Sequence, residues 1–251
     1  MPRHPDWIVP QWPAPTRIAA LFTTRAGGVS TAPYDSLNLG LHVGDRTQAV
    51  LRNRYILRNA LPADPVWLQQ VHGTHVACLD DGAPQREADA AVTRRPHTVC
   101  AVMVADCMPV LLCDRDASVV ACAHAGWRGL SAGVVEATLA AMDCRADCTL
   151  AWLGPAIGPQ AFEVGADVRD SFLSRHPDDA ACFHDKASGS RGEPKWWADL
   201  PELARRRLHR AGVRSVYGGR ECTVSDRTRF FSHRRDGHCG RHAALIWMQG
   251  S

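Results

Sequence analysis

Thr98-Val99-Cys100-Ala101-Val102-Met103-Val104, Ala105-Asp106-Cys107-Met108-Pro109, Val110-Leu111-Leu112-Cys113 and Ser118-Val119-Val120-Ala121-Cys122-Ala123 follow one another almost without a break. Their apolar residues run continuously instead of alternating with polar ones, which is the pattern of strands covered on both faces. The longest apolar run, 99–113, carries Asp106 and Pro109 and is too short to cross a bilayer. Residues 98–104, 110–113 and 118–123 are therefore expected as buried strands, with 105–109 as a kink between the first two.

Working outward, 130–142 reads as a helix after the turn Gly126-Trp127-Arg128-Gly129, and 149–153 as a further strand. Upstream, 18–24 reads as a strand ending in Arg25-Ala26-Gly27-Gly28. Residues 47–61 have helical spacing, with Asp45 as the expected N-cap and Pro62 beyond the end, and 66–71 reads as a short strand delivering His72. Further on, 164–175 and 200–211 read as helices, 213–217 and 243–248 as strands, and 187–194 as a flexible surface loop. With no repeat or linker to divide the chain, the expected fold is α+β: a single domain over 1–251, mixed β-sheets layered with covering helices.

Composition narrows the function classes. A hydrophobic content of 45% with 22% charged residues describes an ordinary soluble protein, and a net charge of +3 is too small to argue for nucleic acid or membrane. Lys186 and Lys195 are the only lysines, and neither falls in a motif, so Schiff-base chemistry is not expected. The ten cysteines could suggest disulfides, yet Cys100, Cys113 and Cys122 lie inside apolar runs, where a thiol behaves as a small hydrophobe. No apolar leader follows Met1-Pro2-Arg3-His4-Pro5. A reduced, cytoplasmic protein is the expectation.

Three segments each offer one metal-class ligand: Gln70-Val71-His72-Gly73, Ala105-Asp106-Cys107-Met108-Pro109 and Ala123-His124-Ala125-Gly126-Trp127-Arg128-Gly129. Two imidazoles and a thiolate fill three corners of a zinc tetrahedron and leave the fourth for water or substrate, which distinguishes a catalytic site from a closed structural one. Cys107 and His124 are about two strands and a turn apart, so neighbouring strands could bring them together. The glycines beside His72 and His124 allow close backbone approach. Two satisfied core histidines and an inert cysteine would be the bland alternative, because no Cys-x-x-Cys pair anchors the site; His75 and Cys78 are competing ligands. A second, basic group combines Arg229-Phe230-Phe231-Ser232-His233-Arg234-Arg235 with Gly240-Arg241-His242, and Arg25 and Arg128 are similarly placed beside glycines. Guanidinium forks of this kind suit phosphate or carboxylate. Arg205-Arg206-Arg207, by contrast, reads as a solvated helix face.

Taken together, Thr24-Arg25-Ala26-Gly27-Gly28-Val29-Ser30, Ser36-Leu37-Asn38-Leu39-Gly40, Gln70-Val71-His72-Gly73, Ala88-Asp89-Ala90, Ala105-Asp106-Cys107, His124-Ala125-Gly126-Trp127-Arg128-Gly129, Gly154-Pro155-Ala156-Ile157 and the tail from Phe230 to Trp247 resemble one family across nearly the whole chain. It is the family of bacterial purine nucleoside phosphorylases once labelled multicopper polyphenol oxidases or laccase-domain proteins, also called peptidoglycan editing factors. The resemblance implies a zinc site at His72, Cys107 and His124. It also implies phosphorolysis of adenosine, inosine and S-methyl-5′-thioadenosine, with adenosine deamination in the same pocket. Copper (Cu2+) and phenol oxidation are the older attribution. The tail departs from the family pattern at His233, where Tyr is expected, and at Cys239, where Thr is expected.

On this reading His72, Cys107 and His124 are the metal ligands and catalytic centre. Arg25 or Arg241 would orient inorganic phosphate, Asn38 would hydrogen-bond the nucleoside, and Glu163 is the nearest spare carboxylate for proton transfer. The His-x-Glu and Pro-Cys-x-x-Cys signature of nucleobase deaminases is absent. Two rival readings use the same residues. Cys107 with His124 as its base would make a Cys-His hydrolase editing a peptidoglycan precursor. A copper oxidase would need further histidine clusters, and the 12 histidines form no His-x-His pair.

Overall fold

The computed structural model describes residues 4–81, 87–186 and 193–250. In chain order the elements are β1 (Ile18–Phe22), α1 (Thr47–Arg58), β2 (Pro65–Val66), β3 (Val76–Cys78), β4 (Ala90–Thr93), β5 (Val99–Val104), β6 (Met108–Asp114) and β7 (Val120–Ala125). There follow α2 (Trp127–Ala132), α3 (Val134–Met142), β8 (Thr149–Leu153), β9 (Glu163–Val164), α4 (Ala166–Leu173), β10 (Phe183–Lys186) and β11 (Lys195–Ala198). The chain closes with α5 (Leu200–Arg210), β12 (Ser215–Gly218), α6 (His233–Asp236) and β13 (His242–Met248).

The strands form mixed sheets, as expected. A six-stranded sheet runs β12-β8-β6-β7-β4-β3 and a four-stranded sheet runs β1-β13-β5-β2, with a small β10-β11-β9 sheet at one side. The alternation of side chains explains the layering. On β6 and β7, Leu111, Cys113, Val120 and Cys122 face the gap between the large sheets, where they meet Cys100, Val102 and Val104 of β5. Val110, Leu112, Ala121 and Ala123 face the other way, onto Leu130, Val135, Leu203 and Leu208 of the helices. Val99 and Ala101 of β5 turn outward beneath Leu57 of α1. Burial on both faces is why these strands carry no polar alternation.

Several boundaries differ from expectation for identifiable reasons. The strand expected at 118–123 begins at Val120, because Asp114 accepts hydrogen bonds from the backbone of Ser118 and Val119 and from the Ser118 hydroxyl, which closes a turn. The expected helix 130–142 starts earlier, at Trp127, and breaks at Gly133, whose φ of 110° is a left-handed helix end. Asp45 does not cap α1. Its carboxylate instead takes the Ser30 hydroxyl, the Asn38 amide and the Arg46 N–H. Of the expected strand 66–71 only Val66 is paired as a strand, in β2 (Pro65–Val66). Residues 187–192 of the expected loop lie outside the described residues. Arg207 is not solvated: it is 2% exposed and ion-paired to Glu136. The ten cysteines are all unpaired among the described residues, and no described helix is long and apolar enough to cross a membrane.

Candidate metal centre

The gap between the two large sheets opens at one end, and the three expected ligands meet there. His124 sits near the end of β7, on the same face as Val120 and Cys122, and is 3% exposed. Cys107 belongs to the kink between β5 and β6. It keeps the inter-sheet side, because Asp106 takes a positive φ of 83° that redirects the chain. His72 comes from the loop after β2 and itself has φ of 62°. Such backbone is costly for residues with a side chain and is held only where the surroundings over-determine it. Here they do. The Asp106 carboxylate accepts from the Thr223 hydroxyl at 2.5 Å, the Ser232 hydroxyl at 3.0 Å and the Arg234 N–H at 2.6 Å, while its carbonyl accepts the Ile157 N–H.

The ligand atoms of His72, Cys107 and His124 all lie within 4.8 Å of one another, and Cys107 Sγ is 3.9 Å from His72 Nε2. Ideal tetrahedral zinc with one sulfur and one nitrogen ligand places those atoms about 3.5 Å apart. The Sγ–Nε2 pair is a few tenths of an ångström wider than this, and the widest pair, within 4.8 Å, would close by about 1 Å for the three donors to hold a divalent ion. Gly126 supports the fit: a Cβ there would stand 2.8 Å from Cys107 Sγ and 3.3 Å from the His72 ring, so the backbone forms a cradle only glycine allows. His75 and Cys78 stay outside the group.

Asp89, to which sequence reasoning gave no role, organises the site. Its carboxylate accepts His124 Nδ1 at 2.8 Å and the backbone N–H groups of Val71, His72 and Gly73 at 3.2, 2.9 and 2.6 Å. Carboxylate support of the distal ring nitrogen is the usual partner of a metal-bound histidine. The electrostatics agree. Burial pushes the Cys107 thiol up, but the His124 and His72 imidazoles outweigh that and bring it down to about 6. Burial lowers His124, and Cys107 and Asp89 more than reverse this, to about 9.

Two cavities meet at His72 and Cys107. One, of about 190 Å³, is walled by Trp127, Ile157, Phe162 and Leu200. The other, of about 940 Å³, is lined by His42, Arg54, Gln70, Met103 and Arg241 together with all three ligands. Arg128 and His233 border both.

The other expected site residues separate. Arg241 lines the larger cavity. Asn38 is fully buried and does not line it. Its Oδ1 accepts the Gly40 and Arg241 N–H groups, and its Nδ2 donates to Asp45, so it positions the Arg241 segment. Arg25 faces a different surface pocket and is bound to Asp35 and to the Arg227 carbonyl. Glu163 is engaged by Lys186, which holds its carboxyl below the usual range. Both tail departures lie at the site: His233 borders the cavities, and Cys239 accepts from the Arg241 guanidinium. Arg54 and His42 were not foreseen; Arg54 sits on α1 and His42 in the loop before it, two residues beyond Ser36-Leu37-Asn38-Leu39-Gly40 and outside every motif.

Residues 19–249 match the family described as multi-copper polyphenol oxidoreductase laccase. The chain is 50% identical over 243 residues to a purine nucleoside phosphorylase of Pseudomonas aeruginosa, PA4543, covering 97% of this chain and 98% of that protein. It is equally 50% identical over 245 residues to the Escherichia coli K12 purine nucleoside phosphorylase YfiH, covering 96% and 98%. The crystal structure of the Neisseria meningitidis protein NMB0706 superposes with a TM-score of 0.90 at 49% identity, covering 98% of this chain and all of that one.

Proposed function

The chain belongs to the multi-copper polyphenol oxidoreductase laccase family, and from that membership we propose that it is a zinc-dependent purine nucleoside phosphorylase. The names of its relatives support the phosphorylase reading. The observation that carries it is the trio His72, Cys107 and His124 at the junction of an apolar and an arginine-lined cavity. The substrates are adenosine, inosine and S-methyl-5′-thioadenosine with inorganic phosphate, and adenosine is also deaminated in the same pocket. Residues 1–251 act as one cytoplasmic catalytic domain, with neither nucleic acid nor membrane as partner.

His72, Cys107 and His124 would hold the ion, which when bound supplies a Lewis acid and a polarised water. In phosphorolysis the bond from C1′ to the purine breaks, a phosphate oxygen takes its place, and the base leaves with the electron pair and gains a proton. Trp127 and Phe162 offer aromatic faces, and Ile157 an aliphatic one, as apolar walls for the base. The Arg54, Arg128 and Arg241 guanidiniums balance the charge of the incoming dianion. Asp89 keeps His124 in one orientation throughout.

Incubation with adenosine, with and without phosphate, tests this. The expected products are adenine and ribose 1-phosphate when phosphate is present and inosine when it is not; no product from zinc-loaded protein would reject the reading. The family description favours copper oxidase chemistry as a second reading. Among the described residues the trio is the one cluster of three possible ligands, whereas multicopper oxidation needs several. Copper-dependent oxygen uptake with a phenol would restore it, and chelator-resistant hydrolysis by metal-free protein would favour the Cys-His hydrolase.

A further inference from the structure

We infer that Arg54, Arg241 and His42 form the subsite for the phosphate co-substrate. This rests on the phosphorylase reading above and assigns the anion to residues other than Arg25.

The charge distribution is the first ground. The larger cavity is lined by Arg54, Arg128 and Arg241 and by no carboxylate. None of these arginines forms an ion pair among the described residues, whereas Arg25, Arg206, Arg210, Arg229 and Arg235 each do. Guanidiniums gathered without a counter-charge in one cavity make a site for an anion, because each offers charge-assisted hydrogen bonds to it. Arg25, in contrast, is already matched to Asp35 at 3.0 Å.

Positioning is the second ground. Arg54 projects from α1, donates Nε to the Leu39 carbonyl at 3.0 Å and lies over the Trp67 ring at 4.2 Å, so its planar fork is fixed before any ligand arrives. Arg241 is anchored through Nη1 to the Cys239 and Gly240 carbonyls, and its own N–H is held by Asn38. Gly40 lets this segment close in, since a Cβ there would come within 2.9 Å of Arg241 Cγ. His42 lies close enough to both guanidiniums that they, after burial itself, lower its pKa. A neutral imidazole can donate a hydrogen bond to phosphate without adding to the repulsion between the arginines. Burial likewise lowers Arg54 to about 10, as expected of a cation lacking its partner.

The smaller cavity is the poorer choice. Its walls are Trp127, Ile157, Phe162 and Leu200, and its extra arginine, Arg234, is bound to the Glu163 carbonyl at 3.0 Å.

The test is calorimetric titration of the metal-loaded enzyme with inorganic phosphate and, separately, with inosine. Arg54→Gln, Arg241→Gln and His42→Gln are compared with wild type and with Arg227→Gln, which alters an exposed arginine of the separate surface pocket. Each arginine variant is expected to weaken phosphate by at least about tenfold, the loss of one charge-assisted hydrogen bond. His42→Gln should weaken it less, and inosine should change little. Arg227→Gln should bind both ligands as wild type does. Thermal melting confirms that each variant is folded, and Arg54→Lys, which keeps charge but not the fork, should recover only part of the loss. Unchanged phosphate affinity in both arginine variants, equal loss of phosphate and inosine, or a wild type that binds no phosphate would each overturn the assignment. So would tight binding of adenosine 5′-monophosphate without binding of free phosphate. Failure of the phosphorylase reading looks different: phosphate binds, the variants lose it, and no free base is formed.

Discussion

Asp89 accepts a hydrogen bond from His124 Nδ1 at 2.8 Å, with both side chains buried. The pairing of β4 with β7, Ala90 opposite Ala123, brings the two residues side by side. Because the same carboxylate takes the N–H groups at 71–73, it fixes one ligand through its ring and another through its backbone. The candidate metal centre is thus preorganised by one residue that does not itself join the His72, Cys107 and His124 group.

Asp89→Asn should therefore weaken the metal without unfolding the chain. The amide is nearly isosteric, but it cannot both accept the backbone donors and support the imidazole as an anion does. Loss of such a supporting carboxylate costs roughly 10–100-fold in metal affinity. Competition with a coloured chelator measures this, and affinity equal to wild type would remove Asp89 from the site.

Gly126→Ala should damage the same centre by shape alone. The added methyl would sit 2.8 Å from Cys107 Sγ, and neither the strand before it nor the helix after it can retreat easily. The expected result is substoichiometric metal with an unchanged far-ultraviolet circular dichroism spectrum. A variant that retains a full equivalent of zinc would show that the cradle has slack.

The central strands were legible because burial on both faces writes itself as unbroken apolar runs, and the ligands because histidine and cysteine stood where those runs stop. Asp89 stood in a motif, Ala88-Asp89-Ala90, but its role was not legible: that role comes from strand register, and a lone aspartate between alanines carries no periodic signal. Arg54 and His42 were hidden for a similar reason, since their meaning lies in the cavity they share and not in any spacing. Asn38 and Arg25 were recognised as site residues by their motifs, yet the structure places Asn38 under Arg241 and Arg25 against Asp35. Arg207 was misread because three consecutive arginines on a helix point in three directions, and one of them faces α3.

Arg207→Met should lower stability while sparing the metal centre. The guanidinium lies 2.7 Å from Glu136 and donates to the Ser131 carbonyl at 3.4 Å. Removing one partner of a sealed ion pair costs about 3–5 kcal/mol. Here Glu136 remains 39% exposed and can turn to water, and methionine refills much of the volume. The expected loss is therefore about 1–2 kcal/mol. Urea unfolding reads it; a loss near that of a sealed pair, or none, would contradict this account, as would altered zinc content.

His242 gives the fold an acid limit of its own. It is fully buried, its ring packed among Phe22, Phe230 and Phe231, and Nε2 accepts the Phe231 N–H at 2.8 Å. Burial, reinforced by the Arg25 and Arg241 charges, lowers its pKa to about 3, against 6.5 for a free histidine. Between those values the unfolded chain binds a proton that the folded chain refuses. Stability contributed at this position is intact above pH 6.5 and falls as the pH drops towards 3, by about 1.4 kcal/mol per pH unit. His242→Gln, whose carbonyl can still accept the Phe231 N–H, does not titrate. Its unfolding free energy between pH 6 and 4, measured on metal-free protein so that the ligands titrate alike in both, should therefore fall less steeply than wild type by about one proton's worth. Parallel slopes would mean that the buried imidazole takes up its proton without unfolding the chain around it.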